Sequence, residues 1–119
     1  MASIKIEIVH EFKGDTVLLV AMDQDGLRCL LSTIIDAEIG NNSPQKCIIM
    51  GIENIFIIKS EAADIELGDK QVRWLLSQEK QKEIINKLIE MNKLGSPCHN
   101  YVDISTPVST LFLAVGEYL

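Results

Sequence analysis

The sequence predicts an α+β fold: a two-layer sandwich in which two helices pack on one face of a mainly antiparallel sheet. Several short runs are either continuously apolar or alternate between polar and apolar residues, which is typical of strands. They flank two longer segments in which apolar residues recur at the spacing of a helix. In addition, Val17–Ala21 and Val72–Leu76 begin two stretches that share one pattern of strand, helix and strand, 55 positions apart. This register predicts a ββαββ pseudo-repeat within the chain.

The first half of the chain is predicted to form two strands, a helix and two further strands. Ile4, Ile6 and Ile8 alternate with polar neighbours, which is the period of a half-buried strand. The helix begins where Asp23 or Asp25 can cap it, and its apolar stripe runs to Ile39 before Gly40. The predicted ranges are 3–10, 16–22, 27–39, 46–50 and 54–60.

The second half repeats this order. Ser77 is a predicted N-cap for the second helix, whose apolar stripe precedes the break at Gly95. Trp74 lies between apolar neighbours in a strand and is predicted to be part of the core. The remaining strands are predicted over 65–67, 72–76, 99–104 and 110–118.

Size and hydropathy predict one soluble domain over residues 1–119. The chain has no apolar run of the length that spans a bilayer, and its first residues do not resemble a signal peptide, so we expect a cytoplasmic protein. Three widely spaced cysteines give no disulfide framework and no CxxC pair, so we expect buried free thiols.

The net charge of −6 is unevenly distributed. Residues 1–69 contain five basic and twelve acidic side chains, whereas residues 70–119 contain six and five. Nucleic acid is therefore excluded as an expected partner, because phosphate contacts need a basic surface. A basic protein is the electrostatic complement. The charge is also consistent with a solvated surface that only keeps the protein in solution.

One segment concentrates the acidity. Between Glu61 and Asp69 there are four acidic side chains and no basic one. The segment is either a solvated loop or a patch that contacts cationic groups of a partner. The candidate partner-binding residues are Glu61, Asp64, Glu66 and Asp69, together with Asp23 and Asp25 at the start of the first helix.

Motifs for chemistry are scarce. No phosphate-binding glycine motif and no nucleophile elbow occur, and the two histidines are too few for a metal site, so neither cofactor nor metal is expected. Adjacent side chains of a strand point to opposite faces, which argues against a Cys98–His99 dyad. Two alternatives stay open: a small enzyme or ligand-binding domain that uses Cys98, His99 and Asp103, and a module that oligomerises through a sheet edge.

The sequence resembles the small immunity proteins of bacterial polymorphic toxin and contact-dependent growth inhibition systems. The likeness is carried by Asp25-Gly26-Leu27-Arg28 at the first helix, by His99–Asp103, and by the ending Leu111–Tyr118. The resemblance implies a protein without catalytic activity that binds and neutralises a cognate toxin domain, often a nuclease. Because interfaces vary among immunity proteins, it implies no particular binding residues, and neither the toxin nor an oligomeric state follows from it.

Overall fold

A computed structural model describes residues 3–38, 48–49, 54–69 and 71–118 of the chain. The elements are β1 (Ser3–Phe12), β2 (Asp15–Met22), α1 (Gln24–Glu38), β3 (Ile48–Ile49), β4 (Asn54–Lys59), β5 (Ala63–Leu67), β6 (Gln71–Leu76), α2 (Gln78–Leu94), β7 (Cys98–Asp103) and β8 (Thr110–Val115). The α+β class and the twofold ββαββ order are therefore confirmed. The segments predicted at 39–47 and 50–53 lie outside the described residues.

The strands form two sheets. Five strands pair in the order β3-β1-β2-β8-β7, and three in the order β4-β6-β5. Consecutive strands pair antiparallel in β1–β2, β5–β6 and β7–β8, as tight connections predict. The pairs β1–β3, β2–β8 and β4–β6 are parallel. The pairing is thus mixed and divided between two sheets, which differs from the expected single, mainly antiparallel sheet.

The helices contact strands of both sheets and do not rest on the face of one sheet only. α1 packs against β1, β2 and β4, and α2 packs against β6 and β7. One apolar core contains residues of both helices and both sheets. It includes Leu18 of the five-stranded sheet and the fully buried Trp74 of the three-stranded sheet. Among the described residues, the indole N–H of Trp74 has no hydrogen-bond partner. The predicted core position of Trp74 is confirmed.

The two helices pack against each other and begin at equivalent caps. The carboxylate of Asp23 accepts a hydrogen bond from the amide of Gly26 at 2.6 Å, and the hydroxyl of Ser77 accepts one from Lys80 at 3.1 Å. The side chain of Gln24, at the start of α1, donates to Asn92 near the end of α2 at 2.8 Å. Of the two predicted caps for α1, Asp23 is the one that caps it.

The structure corrects the register of the repeat. The two helix caps, Asp23 and Ser77, are 54 positions apart. The same spacing separates two core residues in the strands before the helices, Val20 and Trp74. In the last strand of each unit, Ile57 of β4 and Leu113 of β8 occupy equivalent positions, because Ile57 pairs with Trp74 and Leu113 pairs with Val20. These two residues are 56 positions apart. Because side chains alternate between the two faces of a strand, an error of one residue moves each side chain to the opposite face. The predicted spacing of 55 residues therefore aligned core residues of one unit with residues on the opposite face in the other unit.

Two sequence expectations concern the helices and the cysteines. Among the described residues, no helix is long and apolar enough to cross a membrane. Cys29 is disulfide-bonded, which overturns the expectation of free thiols for that residue, whereas Cys98 is free. The odd number of cysteines therefore did not exclude a disulfide.

The junction of β1 with α1 predicts a requirement for glycine at position 26. A Cβ atom at Gly26 would lie 2.3 Å from the backbone oxygen of Ser3, and the backbone there is held by the Asp23 cap. We expect Gly26→Ala to lower the free energy of unfolding in urea by about 2 kcal/mol, because neither segment can move freely. Ser32→Ala, on the exposed side of α1, is the control and should change it by less than about 0.5 kcal/mol. Equal stability of the two variants would contradict this packing.

Candidate protein-binding surfaces

The acidic segment forms the outer edge of the three-stranded sheet. β5 is the last strand of that sheet, and its residue Ile65 is buried in the core. Because side chains alternate along a strand, Asp64 and Glu66 point away from that core. Glu61 precedes β5 and Asp69 follows it, and both are exposed. These four residues, which we call the acidic strip, therefore follow one strand from end to end.

Among the described residues, one ion pair involves the acidic strip. Glu66 forms an ion pair with Arg73 on the neighbouring strand at 3.3 Å. For Glu61, Asp64 and Asp69, no basic group lies within ion-pair distance among the residues that the structure describes. Within the described part of the chain, these three carboxylates thus contribute negative charge that no ion pair offsets.

The other two predicted acids are separated from the acidic strip and are already engaged. Asp23 caps α1, and its carboxylate also accepts a hydrogen bond from the amide of Ser3 at 3.0 Å. Asp25 is exposed and pairs with Arg28 at 3.2 Å. Both residues lie at the start of α1, beside the end of α2.

The distance between the two acidic groups follows from the length of α2. The amide of Ser77, at the start of α2, donates to the carbonyl of Ala62, next to Glu61. A helix of 17 residues is about 25 Å long. Glu61 and Asp25 are therefore at opposite ends of α2, and the six predicted residues do not form one continuous patch.

The three residues of the enzyme alternative do not converge. Cys98 points towards α2, and its thiol lies 3.6 Å from the carbonyl oxygen of Met91. His99 points to the other face of β7, where its Nδ1 lies 3.3 Å from a carboxylate oxygen of Glu117. Asp103 is exposed at the far end of the strand. This arrangement gives no shared site for the three side chains. In the described part of the chain, no three His, Cys, Asp or Glu residues are placed to hold a metal ion.

An aromatic cluster on the outer face of the five-stranded sheet was not predicted. It consists of Phe12, His99, Tyr101 and Tyr118 around the fully buried ring of Phe112. The spacing of His99 and Tyr101 in one strand was a usable signal, since such residues share a face. The contribution of Tyr118 depends on the chain turning back over the sheet at Gly116, where a Cβ atom would lie 1.7 Å from the hydroxyl of Ser96.

Two sheet edges are covered by the chain itself. The backbone amide of Ser105 donates to Ala63, and that of Ile65 donates to Thr106, so a loop covers β5. At the β7 edge, the ammonium group of Lys87 donates to the carbonyl of Tyr101. Protected edges of this kind oppose strand-to-strand association. They give no support to the alternative in which the protein oligomerises through an edge.

Comparisons with known proteins give no relative to reason from. No family model matches the chain, and neither a curated protein nor a solved structure matches it.

The cap geometry predicts that Asp23 stabilises the fold. Asp23→Ala removes acceptors for the amides of Gly26 and Ser3, and we expect it to lower the free energy of unfolding by about 2 kcal/mol. Asp23→Asn keeps a capping oxygen and should lose about 0.5 kcal/mol. Asp25→Ala is the control on the exposed side of the helix. If chemical denaturation shows Asp23→Ala to be no less stable than this control, the structural role of Asp23 is wrong.

The environment of Cys98 predicts an unreactive thiol. Burial, and secondarily the negative charge of Glu117, raise the pKa of the Cys98 thiol above its ordinary value. At a fixed pH near 8, a raised pKa means less thiolate, which is the reactive form. We expect iodoacetamide to alkylate Cys98 more slowly than a cysteine in an unstructured peptide, as measured by mass spectrometry of the Cys98 peptide. Glu117→Gln should accelerate the reaction and Glu90→Gln should not. Alkylation as fast as in the peptide would contradict this assignment.

Proposed function

We propose that this chain is an immunity-type inhibitor, which binds a basic toxin domain through the acidic strip and blocks the toxin's active cleft. The observation that carries the proposal is the set of carboxylates at the exposed residues Glu61 and Asp69 and the half-buried Asp64, which form no ion pair with a described cation. The likeness to immunity proteins at Asp25–Arg28, His99–Asp103 and Leu111–Tyr118 supports the same function.

The placement of the acidic strip suits recognition of a charged partner. β5 is a strand of a packed sheet, so Asp64 and Glu66 are held in fixed positions without the cost of ordering a loop. Complementary charges at an interface accelerate and orient association more than they increase affinity. The proposed contact residues are therefore Glu61, Asp64, Glu66 and Asp69. Asp23 and Asp25 would contribute to the long-range field only.

Other classes of partner receive no support from the charges. A net charge of −6 and the acidic strip would repel phosphate groups, so we do not propose binding to nucleic acid or to an anionic membrane surface. We also propose no catalytic activity, cofactor or metal.

A cytoplasmic location, where a toxin would be met, is part of the proposal. The disulfide at Cys29 weighs against it, because disulfides persist mainly in oxidising compartments.

Coexpression with the C-terminal domain of the protein encoded by the adjacent upstream gene tests the function directly. We expect a complex that survives size-exclusion chromatography and restores growth when that domain is toxic. The triple variant Glu61→Gln, Asp64→Asn, Asp69→Asn should reduce the association rate constant at least tenfold at low ionic strength, because it removes the steering charge. High salt should reduce the wild-type rate in the same direction.

The control variant changes the same net charge elsewhere. Glu11→Gln, Asp15→Asn and Glu90→Gln are exposed substitutions outside the acidic strip and should reduce the rate by less than threefold. Failure of the wild-type chain to form a complex would remove the proposed function. A complex that the two triple variants weaken equally would move the contact away from the acidic strip.

A further inference from the structure

We propose that the outer face of the five-stranded sheet is a second binding surface, which accepts arginine side chains of a polypeptide beside its exposed tyrosines and carboxylates. This face points away from the core that the two sheets share, and it carries a separate apolar cluster. The inference does not depend on the acidic strip, which belongs to the other sheet.

The strand register determines which side chains share this face. Cross-strand neighbours stand side by side on the same face of a sheet. The pairings of β1 with β2, of β2 with β8 and of β8 with β7 align two rows across the sheet. The first row consists of Glu7, Leu19, Phe112 and Tyr101, and the second of Lys5, Ala21, Ala114 and His99. Buried apolar residues thus occupy the middle of the face, while aromatic and charged side chains occupy its margins.

The aromatic rings at the margin remain open to solvent. Tyr101 and Tyr118 stand nearly perpendicular to the buried ring of Phe112, with ring centroids 4.9 Å and 5.8 Å away. Each tyrosine is 43% exposed. Exposed tyrosines held by neighbouring rings are typical of the residues that dominate protein interfaces, because little rotamer freedom is lost on binding.

The charges of this face favour a cationic partner. Asp103 and Glu117 carry carboxylates on the aromatic side of this face, whereas Glu7, at the opposite margin, forms an ion pair with Lys5 at 3.2 Å. Asp103 has no ion-pair partner among the described residues. The chain already places one of its own cations here, since the ammonium of Lys13 lies 5.6 Å from the centroid of the Phe12 ring.

Arginine fits this combination better than the other cations of proteins. A guanidinium group stacks on aromatic faces and also donates paired hydrogen bonds to a carboxylate. Nucleic-acid bases could stack on the same rings, but the carboxylates of Asp103 and Glu117 beside those rings would repel their phosphates. The aromatic and acidic chemistry together therefore favours an arginine-bearing polypeptide.

Nuclear magnetic resonance of the whole ¹⁵N-labelled chain tests the inference with the peptide Ac-Arg-Ala-Arg-NH₂. In an extended peptide, alternate side chains share one side, so both arginines can face the sheet. We expect the peptide to shift the amide resonances of His99, Tyr101 and Tyr118. It should bind at least tenfold more tightly than Ac-citrulline-Ala-citrulline-NH₂, which has a similar shape without the charge.

Matched variants separate ring chemistry from folding. The double variant Tyr101→Ala, Tyr118→Ala should weaken binding at least fivefold, while Tyr101→Phe, Tyr118→Phe should leave it within twofold, since phenylalanine keeps the ring. Asp103→Asn, at an exposed position, should weaken binding without affecting the fold.

Three outcomes would overturn the inference: equal binding of the citrulline peptide, shifts confined to β5, or shifts that follow self-association in sedimentation. The variant with a neutralised acidic strip should keep the response of wild type, which distinguishes failure of this inference from failure of the proposed function.

Discussion

Two parallel strand pairings hold the two halves of this protein together. β8, the last strand of the second ββαββ unit, pairs with β2 of the first, and β4 of the first unit pairs with β6 of the second. Each unit thus lends its final strand to the sheet of the other, and the common core contains residues from both. The two helices also pack against each other across the halves. Contacts so distant in sequence favour slow but cooperative folding.

Local patterns in the sequence were sufficient for the element order. Alternation in β1, the apolar stripes of the helices and the cap at Ser77 are each decided within a few residues. The division into two sheets was not predictable in this way, because strand pairing across the two halves leaves no local pattern. The register of the repeat failed for a related reason. Loops of different length separate the strands, and an error of one residue exchanges the two faces of a strand.

The candidate surfaces were predictable only in part. The acidic strip is a continuous segment, so its composition alone located it, whereas Asp23 and Asp25 were indistinguishable until the structure showed which one caps α1. The aromatic cluster combines residues from β1, β7, β8 and the chain end. It depends on the pairing of Tyr101 with Phe112 and on a turn at Gly116, neither of which a single segment encodes.

The exposed tyrosines follow from the way the sheet is covered. Both faces of β2 and β8 are apolar, but the helices cover only one of them. The chain shields the other face with its own rings, and Tyr118 folds back so that its ring packs against those of Phe12 and Phe112. Shielding an apolar surface with amphipathic rings leaves their polar ends in water. Thr106 and Lys87 accept or donate backbone hydrogen bonds along β5 and β7, and such contacts oppose the addition of a further strand there without covering the side chains of either strand.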